Sequence, residues 1–310
     1  MRIGFFGTPD IAAHCFSRLR EEFAIAFAVT GEDKPAGRNL QTQCCPAKEA
    51  ARSGEVPTYH PVKLTDPEFI GTIEEAAADL FVVVAYGRII PARVFTMPRL
   101  GTINLHPSLL PRYRGAAPIQ WALINDEAET GVTVQMINER LDAGDILLQK
   151  TVPVGPEMTA GELYDIVLPL GAEMLVEAVK LLEAGKAEPR KQNEEEATYC
   201  GKIDKELPRI RWDRAAADIH NLVRGLNPRP GAWTVFRSLS IKIWKTRPFG
   251  DATVHLAPGA IAVYGKKRLI VGAGDGPLEV LELQPERKRA MDGLSFINGY
   301  RPGENEAFSF

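Results

Sequence analysis

Cysteine and histidine are scarce in this 310-residue chain, which has four cysteines and five histidines. Cys15, Cys44, Cys45 and Cys200 form no C-x-x-C pair, the spacing that metal-binding and redox motifs share. The cysteine pattern therefore argues against a disulfide framework and against a zinc site, and we expect a protein without a bound metal. Four reduced thiols also predict a cytoplasmic location.

Three other patterns are missing. The chain has no run of about 18 apolar residues, so no membrane-spanning helix is expected. Its first seven residues, MRIGFFG, are too short for a secretion signal and predict a β-strand. The turn that follows, Gly7-Thr8-Pro9-Asp10, lacks the G-x-G-x-x-G spacing of dinucleotide-binding loops. We expect Thr8 or Asp10 to cap a helix at this turn.

The first half of the chain alternates apolar runs with amphipathic stretches, an order typical of α/β proteins. The run Asp79–Ala85, DLFVVVA, indicates a central parallel strand that is covered on both faces. Apolar residues at helical spacing predict a long helix over 159–184. Residues 31–46 are expected to form a long loop without regular structure. The fold class is therefore predicted to be α/β with a mostly parallel sheet.

The last third of the chain differs in structure and in charge. A polar segment at 185–204 predicts a domain boundary. Five short strands separated by glycine and proline then predict a small β-barrel within 205–310. Residues 205–310 carry 17 Lys+Arg against 11 Asp+Glu, whereas residues 1–204 carry 20 against 29. A basic domain on an acidic body suggests a polyanionic partner such as a nucleic acid.

The segment from Gly101 to Trp121 concentrates residues with chemical potential. Asn104 and His106 are two apart on a predicted strand, so their side chains face the same way. Pro107 ends the strand because proline cannot donate to a ladder. An amide and an imidazole at a strand end can hold an oxyanion and move a proton. Asp142, in a turn at the same edge of the sheet, could lie beside His106.

The segment Asn104-Leu-His106-Pro-Ser108-Leu-Leu-Pro111, followed by Asp142, resembles the motif of formyltransferases that use 10-formyltetrahydrofolate. Further similar segments (33–38, 114–120, 197–203 and 227–231) extend the resemblance over the whole chain. They favour the branch of this family that formylates methionyl initiator tRNA. The resemblance implies a Rossmann-like donor-binding catalytic domain at 1–184, a linker at 185–204 and an OB-like tRNA-binding barrel at 205–310.

The resemblance also implies roles for single residues. Asn104 and His106 would donate to a tetrahedral oxyanion, and Asp142 would orient His106 and help to take the amine proton. The residues expected to bind the folate co-substrate are Val84, Ala85, Tyr86, Gly87, Arg88, Ile89, Ser108, Leu109, Leu110 and Pro111. The residues expected to bind tRNA are Arg38, Lys266, Lys267, Arg268 and Lys288.

Two other functions fit parts of this pattern. A nucleotide-sugar formyltransferase, which acts on a UDP-amino sugar, shares the Asn-x-His pair, the SLLP run and a C-terminal barrel. A folate-binding sensor without catalysis is the other. The residues His106-Pro107-Ser108, the PAGR run at 35–38 and the basic C-terminal part favour tRNA. The three filled catalytic positions argue against a sensor. We expect a monomer that does not bind membranes.

Overall fold

The structure is a computed structural model that describes residues 1–32, 34–36, 41–251, 253–303 and 305–309, with backbone only for 34–36 and 41–43. The chain divides into two compact units. The first comprises Met1–Gly115, Thr130–Val152 and Asp165–Tyr199, and the second comprises Ala116–Glu129, Pro153–Tyr164 and Cys200–Phe310. No helix within the described ranges combines the length and the apolar character that crossing a bilayer requires.

The first eleven strands are β1 (Arg2–Gly7), β2 (Ala24–Val29), β3 (Lys34–Ala36), β4 (Gln41–Gln43), β5 (Thr58–Tyr59), β6 (Leu80–Val84), β7 (Thr102–His106), β8 (Arg114–Gly115), β9 (Glu129–Met136), β10 (Ile146–Pro153) and β11 (Tyr199–Cys200). The first six helices are α1 (Asp10–Arg20), α2 (Pro46–Ser53), α3 (Pro67–Glu75), α4 (Ala92–Phe95), α5 (Pro118–Ile124) and α6 (Ala160–Glu183). A 3₁₀ turn spans Glu194–Glu196.

The first unit is built on a seven-stranded sheet in the order β10-β9-β7-β6-β1-β2-β5. β7, β6, β1, β2 and β5 run parallel to one another, whereas β9 runs antiparallel to β7. All five residues of β6 are buried, as expected for a central strand. The α/β class with a mainly parallel sheet is therefore confirmed.

Aromatic packing explains why β1 contains a glycine among apolar residues. The rings of Phe6, Phe27 and Phe81 lie 5.3–6.0 Å apart, mostly edge to face. Gly4 shares a face with Phe6, and a Cβ at Gly4 would lie 2.4 Å from Phe27 and 2.7 Å from Phe81. Only a residue without a side chain lets these rings pack against the strand.

Two local predictions were wrong. The segment 31–46 contains β3 and β4, which pair antiparallel. Strands of three residues are too short for the alternation that predicts a strand. Neither Thr8 nor Asp10 caps α1, because Pro9 occupies the N-cap position and α1 begins at Asp10. The hydroxyl of Thr8 instead accepts from the Gly31 N–H at 3.2 Å.

The second unit contains helices α7 (Ala216–Leu226) and α8 (Gly293–Tyr300) and strands β12 (Ala232–Phe236), β13 (Leu239–Pro248), β14 (Ile261–Tyr264), β15 (Arg268–Gly272), β16 (Pro277–Pro285) and β17 (Met291–Asp292). The described strands form an antiparallel sheet in the order β12-β13-β16-β15-β14, with β17 paired to β16. The antiparallel pairing of β15 with β16 agrees with the hairpin predicted at Gly272–Gly276.

The C-terminal segment joins the two edges of this sheet. Val235 of β12 exchanges backbone hydrogen bonds with Ser309, at 3.2 and 2.9 Å. Ile261 of β14 donates its N–H to the Glu306 carbonyl at 3.0 Å. Because both edge strands pair with residues 306–309, neither edge presents a full row of open backbone groups. The antiparallel sheet of the second unit thereby closes into a barrel.

Candidate active site

The carboxyl end of β7 places Asn104 and His106 beside the neighbouring strands. Asn104 lies opposite Val83 of β6 and Gln135 of β9. Leu105, between them, is 3% exposed and packs into the core, while Asn104 is half-buried. The Asn104 amide makes no hydrogen bond with any other residue that the structure describes. Its donors are therefore available to a ligand.

His106 is fixed by a bond to backbone. Its Nε2 lies 2.8 Å from the carbonyl oxygen of Tyr113, and the residue is 4% exposed. A carbonyl can only accept, so Nε2 carries a hydrogen and donates it. Tyr113 is itself held in a left-handed conformation, with φ 59°, and donates its N–H to Thr198 Oγ1 at 2.8 Å. Proton exchange at His106 is thus left to Nδ1.

Asp142 lies on the Nδ1 side of His106. The distance from Asp142 Oδ2 to His106 Nδ1 is 3.7 Å, which is longer than a direct hydrogen bond. Oδ2 accepts the N–H of Gly115 at 2.9 Å, and Oδ1 accepts from Gln135 Nε2 at 3.3 Å. The structure thus brings the His106 ring and the Asp142 carboxylate together, as the motif suggested.

Gln192 contacts the Asp142 backbone and Arg114 contacts Gln192; the sequence predicts no role for either residue. Arg114 is 1% exposed and donates to Gln192 Oε1 at 3.1 and 2.8 Å and to Glu194 at 2.9 Å. The hydrogen bond with Glu194 raises the pKa of Arg114, and the same bond lowers the pKa of Glu194. Arg114 stands in a recognisable motif, but Gln192 lies in a polar segment where no pattern distinguishes it.

The loop after β6 presents backbone groups to solvent. Ala85 and Gly87 have φ values of 46° and 79°, so the chain turns sharply directly after Val84. Ile89 is 91% exposed. The N–H groups of Gly87, Arg88 and Ile89 donate to no other group in the described ranges. A planar heterocycle with donors and acceptors along one edge could pair with these groups.

The base of this loop is anchored on both sides. Tyr86 is 4% exposed, packs edge to face on Phe6 at 5.7 Å, and burial raises the pKa of its hydroxyl. Its carbonyl accepts from Thr8 Oγ1 at 3.4 Å. Arg88 donates to the carbonyls of Pro61 and Val62 at 2.7 and 2.6 Å. The exposed backbone groups therefore stand on a fixed support.

The other segment expected to bind folate, Ser108 to Pro111, is tied to β9. The buried Ser108 hydroxyl donates to the Arg112 carbonyl at 2.6 Å. Thr133 Oγ1 donates to the Ser108 carbonyl at 2.7 Å and accepts the Leu110 N–H at 3.2 Å. Leu109 is half-buried over Gly131, where a Cβ would lie 2.5 Å from the leucine. The peptide bond between Leu110 and Pro111 is cis.

The residues expected to bind tRNA have different surroundings. Arg38 lies outside the described residues. Lys266 and Lys267 are exposed at the turn between β14 and β15, and Lys288 is exposed after β16. Arg268 is bound to Glu279 at 2.7 and 2.5 Å, so its charge is already paired.

Comparison with known proteins identifies the family. The sequence model described as "Formyl transferase" matches residues 1–179, and "Formyl transferase, C-terminal domain" matches residues 202–301. The chain belongs to the formyl transferase family. Among curated members, the methionyl-tRNA formyltransferase of Acetivibrio thermocellus is 41% identical over 307 residues, which cover 99% of each chain. The family that the motif suggested is thus confirmed.

Solved structures of formyl transferases share the fold at low sequence identity. The sugar 3N-formyl transferase WlaRD has a TM-score of 0.68 and 19% identity, over 93% of this chain and 99% of its own. HypX from Aquifex aeolicus in complex with tetrahydrofolic acid has a TM-score of 0.64 and 19% identity, over 98% of this chain. This chain spans 48% of the length of HypX. In the part of the chain that the structure describes, no three His, Cys, Asp or Glu residues are grouped to hold a metal.

Proposed function

We propose that this formyl transferase moves the formyl group of 10-formyltetrahydrofolate to the α-amine of methionyl initiator tRNA. Similarity to methionyl-tRNA formyltransferases over the whole chain supports this substrate. One observation carries the proposed chemistry. The free amide of Asn104 is two residues from His106, whose Nδ1 faces Asp142 Oδ2 across 3.7 Å.

The formyl donor is a co-substrate that supplies the formyl carbon and a nitrogen leaving group. The exposed backbone after β6 suits its fused ring, because Gly87 and Arg88 offer N–H groups without partners among the described residues. Ile89 adds an exposed apolar side chain to the same loop. The segment 108–111 would close one side of this donor site. Its hydrogen bonds to Thr133 hold that segment in place.

The attacking group is the α-amine of the methionyl ester. A free α-amine has a pKa of about 7.7–8.0, so a useful fraction is neutral near pH 7. Its nitrogen forms a bond to the formyl carbon, and the bond from that carbon to the donor nitrogen breaks. Asn104 donates to the formyl oxygen while that oxygen carries negative charge. The amine proton moves by way of Asp142 and His106 Nδ1 to the departing nitrogen, because Nε2 stays bound to the Tyr113 carbonyl.

Transfer RNA would be bound through basic side chains outside this centre. Lys266, Lys267 and Lys288 are exposed and suited to phosphate contacts. Arg268 contributes less, because Glu279 neutralises it. Arg38 is proposed to contact the acceptor end of initiator tRNA and to sense its weak first base pair. Arg38→Ala should lower kcat/KM for initiator tRNA, and an unchanged value would refute this role.

The decisive experiment offers the purified protein labelled formyl donor with methionine-charged initiator tRNA, charged elongator tRNA, or a UDP-amino sugar. We expect label on initiator tRNA in preference to elongator tRNA and none on the sugar. Label on the sugar alone would replace this proposal with a nucleotide-sugar formyltransferase. Folate binding without transfer to any acceptor would indicate a sensor. Asn104→Ala, assayed in parallel, shows whether the transfer depends on the proposed centre.

A further inference from the structure

The carboxylate of Asp142 ends a buried chain of side-chain hydrogen bonds that begins at Arg114. Arg114 donates to Gln192 Oε1, Gln192 Nε2 donates to Gln135 Oε1 at 3.1 Å, and Gln135 Nε2 donates to Asp142 Oδ1 at 3.3 Å. Arg114 and Gln135 are 1% and 2% exposed. We propose that Gln192 is a positioning residue, which fixes the orientation of Gln135 and the backbone of Asp142. This inference rests on the catalytic role proposed for Asp142.

Donor and acceptor chemistry determines the direction of this chain. A guanidinium has only donors, so the oxygen end of the Gln192 amide must face Arg114. The nitrogen end of Gln192 then faces the oxygen of Gln135, and the nitrogen of Gln135 faces the carboxylate. A carboxylate only accepts, so both ends of the chain agree with this order. Gln135 Oε1 also accepts the Gly144 N–H at 3.2 Å, which favours the same orientation.

Gln192 also holds the backbone on which Asp142 stands. Asp142 has a φ of 48°, a left-handed conformation that few residues other than glycine, asparagine and aspartate adopt. Gln192 Nε2 lies 2.9 Å from the Asp142 carbonyl and 2.7 Å from the Gly144 carbonyl. The two hydrogens of the Gln192 amide are thus shared among three acceptors, which are the Asp142 carbonyl, the Gly144 carbonyl and Gln135 Oε1. These bonds keep the turn in the shape that directs the carboxylate toward His106.

Gln192 lies outside both ranges that the family models match, 1–179 and 202–301. Its neighbour Asn193 is a suitable control, because that amide makes only local contacts. Asn193 Oδ1 accepts the Glu195 N–H at 3.2 Å, and Nδ2 donates to Glu196 at 2.9 Å. Comparing a substitution at Gln192 with the same change at Asn193 therefore separates an effect on Asp142 from a general effect on this segment.

The test uses Gln192→Glu, which keeps the shape and the contact with Arg114 but places an acceptor where the structure needs a donor. In single-turnover formyl transfer at saturating substrates we expect a rate at least about tenfold lower, because small displacements of reacting groups are costly. KM values for tRNA and donor should change little. Asn193→Asp, the same chemical change one residue away, should keep the parental rate. Thermal unfolding is measured for both variants, and assays are run well below either midpoint.

A double-mutant cycle distinguishes positioning from a purely structural role. In an Asp142→Asn background, Gln192→Glu should change the rate by no more than about twofold, because the carboxylate it positions is already absent. If Gln192→Glu lowers the rate by the same factor with Asp142 and with Asn at that position, the inference is overturned. A parental rate for Gln192→Glu alone would overturn it as well. If Asp142→Asn by itself keeps the full rate, the proposed catalytic role of Asp142 fails instead. The two failures are thus distinguishable.

Discussion

Replacing Asp142 by asparagine tests the proposed chemistry most directly. Asparagine has the same shape and is among the residues that best tolerate the left-handed backbone, with φ 48°, that this position requires. Its oxygen can still accept the Gly115 N–H, which Asp142 Oδ2 accepts at 2.9 Å. The substitution therefore removes the negative charge at the cost of one hydrogen bond, because the asparagine nitrogen then faces Gln135 Nε2, which donates to Asp142 Oδ1 at 3.3 Å.

The expected loss follows from the distance to His106. Two unit charges about 4 Å apart interact by roughly 4 kcal/mol at an effective permittivity of about 20. Asp142 Oδ2 lies 3.7 Å from His106 Nδ1, and the Asp142 side chain is 14% exposed, so screening by water is limited. This attraction acts only while His106 carries the extra proton, so most of it lowers the barrier. Each 1.4 kcal/mol is about tenfold in rate, which gives a loss of roughly 10²–10³.

The assay is single-turnover formylation of charged initiator tRNA, followed by rapid quenching at saturating donor. We expect a rate about 10²–10³ lower for Asp142→Asn, with a thermal midpoint near that of the parent. A rate within about threefold of the parent would mean that the carboxylate does not assist proton transfer, and the proposed mechanism would be wrong.

Three other predictions address the oxyanion donor, a close approach of backbone and an ion pair. Asn104→Ala should lower the single-turnover rate by about 10²–10³, because a donor to developing charge is lost; a rate close to the parent's would exclude that role. Gly144→Ala should destabilise the fold by ~1–3 kcal/mol in chemical denaturation, because its Cβ would lie 1.7 Å from a backbone oxygen. Gly71→Ala, where a Cβ meets nothing within 4 Å, is the control and should not destabilise. The hydrogen bond from Arg268 holds the pKa of Glu279 below the range usual for a glutamate side chain. The stability contributed by this carboxylate is therefore full above about pH 4.5 and lost as pH falls through the folded-state pKa. Denaturation midpoints of Glu279→Gln should lie below the parent's at neutral pH and converge with them in acid; a gap independent of pH would refute the link.

Local sequence patterns were sufficient for much of the first unit. The strand at β6 followed from a continuous apolar run, because a strand covered on both faces needs no polar positions. The proximity of His106 and Asp142 followed from their places at one edge of the sheet. Short elements were missed, including β3, β4 and α8, since a few residues do not establish a period. The pairing of residues 306–309 with both edges of the barrel was also not predicted, because backbone hydrogen bonds impose no recognisable pattern of side-chain types on so short a segment.

The sequence by itself determined which residue types stand at the end of β7, and through alternation it determined that Asn104 and His106 share a face. It could not determine which nitrogen of His106 is free. Nε2 donates to the Tyr113 carbonyl, and only the folded path of the segment after β7 places that carbonyl beside the ring. Nor could it assign a role to Gln192, whose partner Asp142 is 50 residues away. Only the tertiary structure decides such matters, because the direction of a hydrogen bond depends on distant groups meeting in space, whereas strand and helix patterns depend on near neighbours.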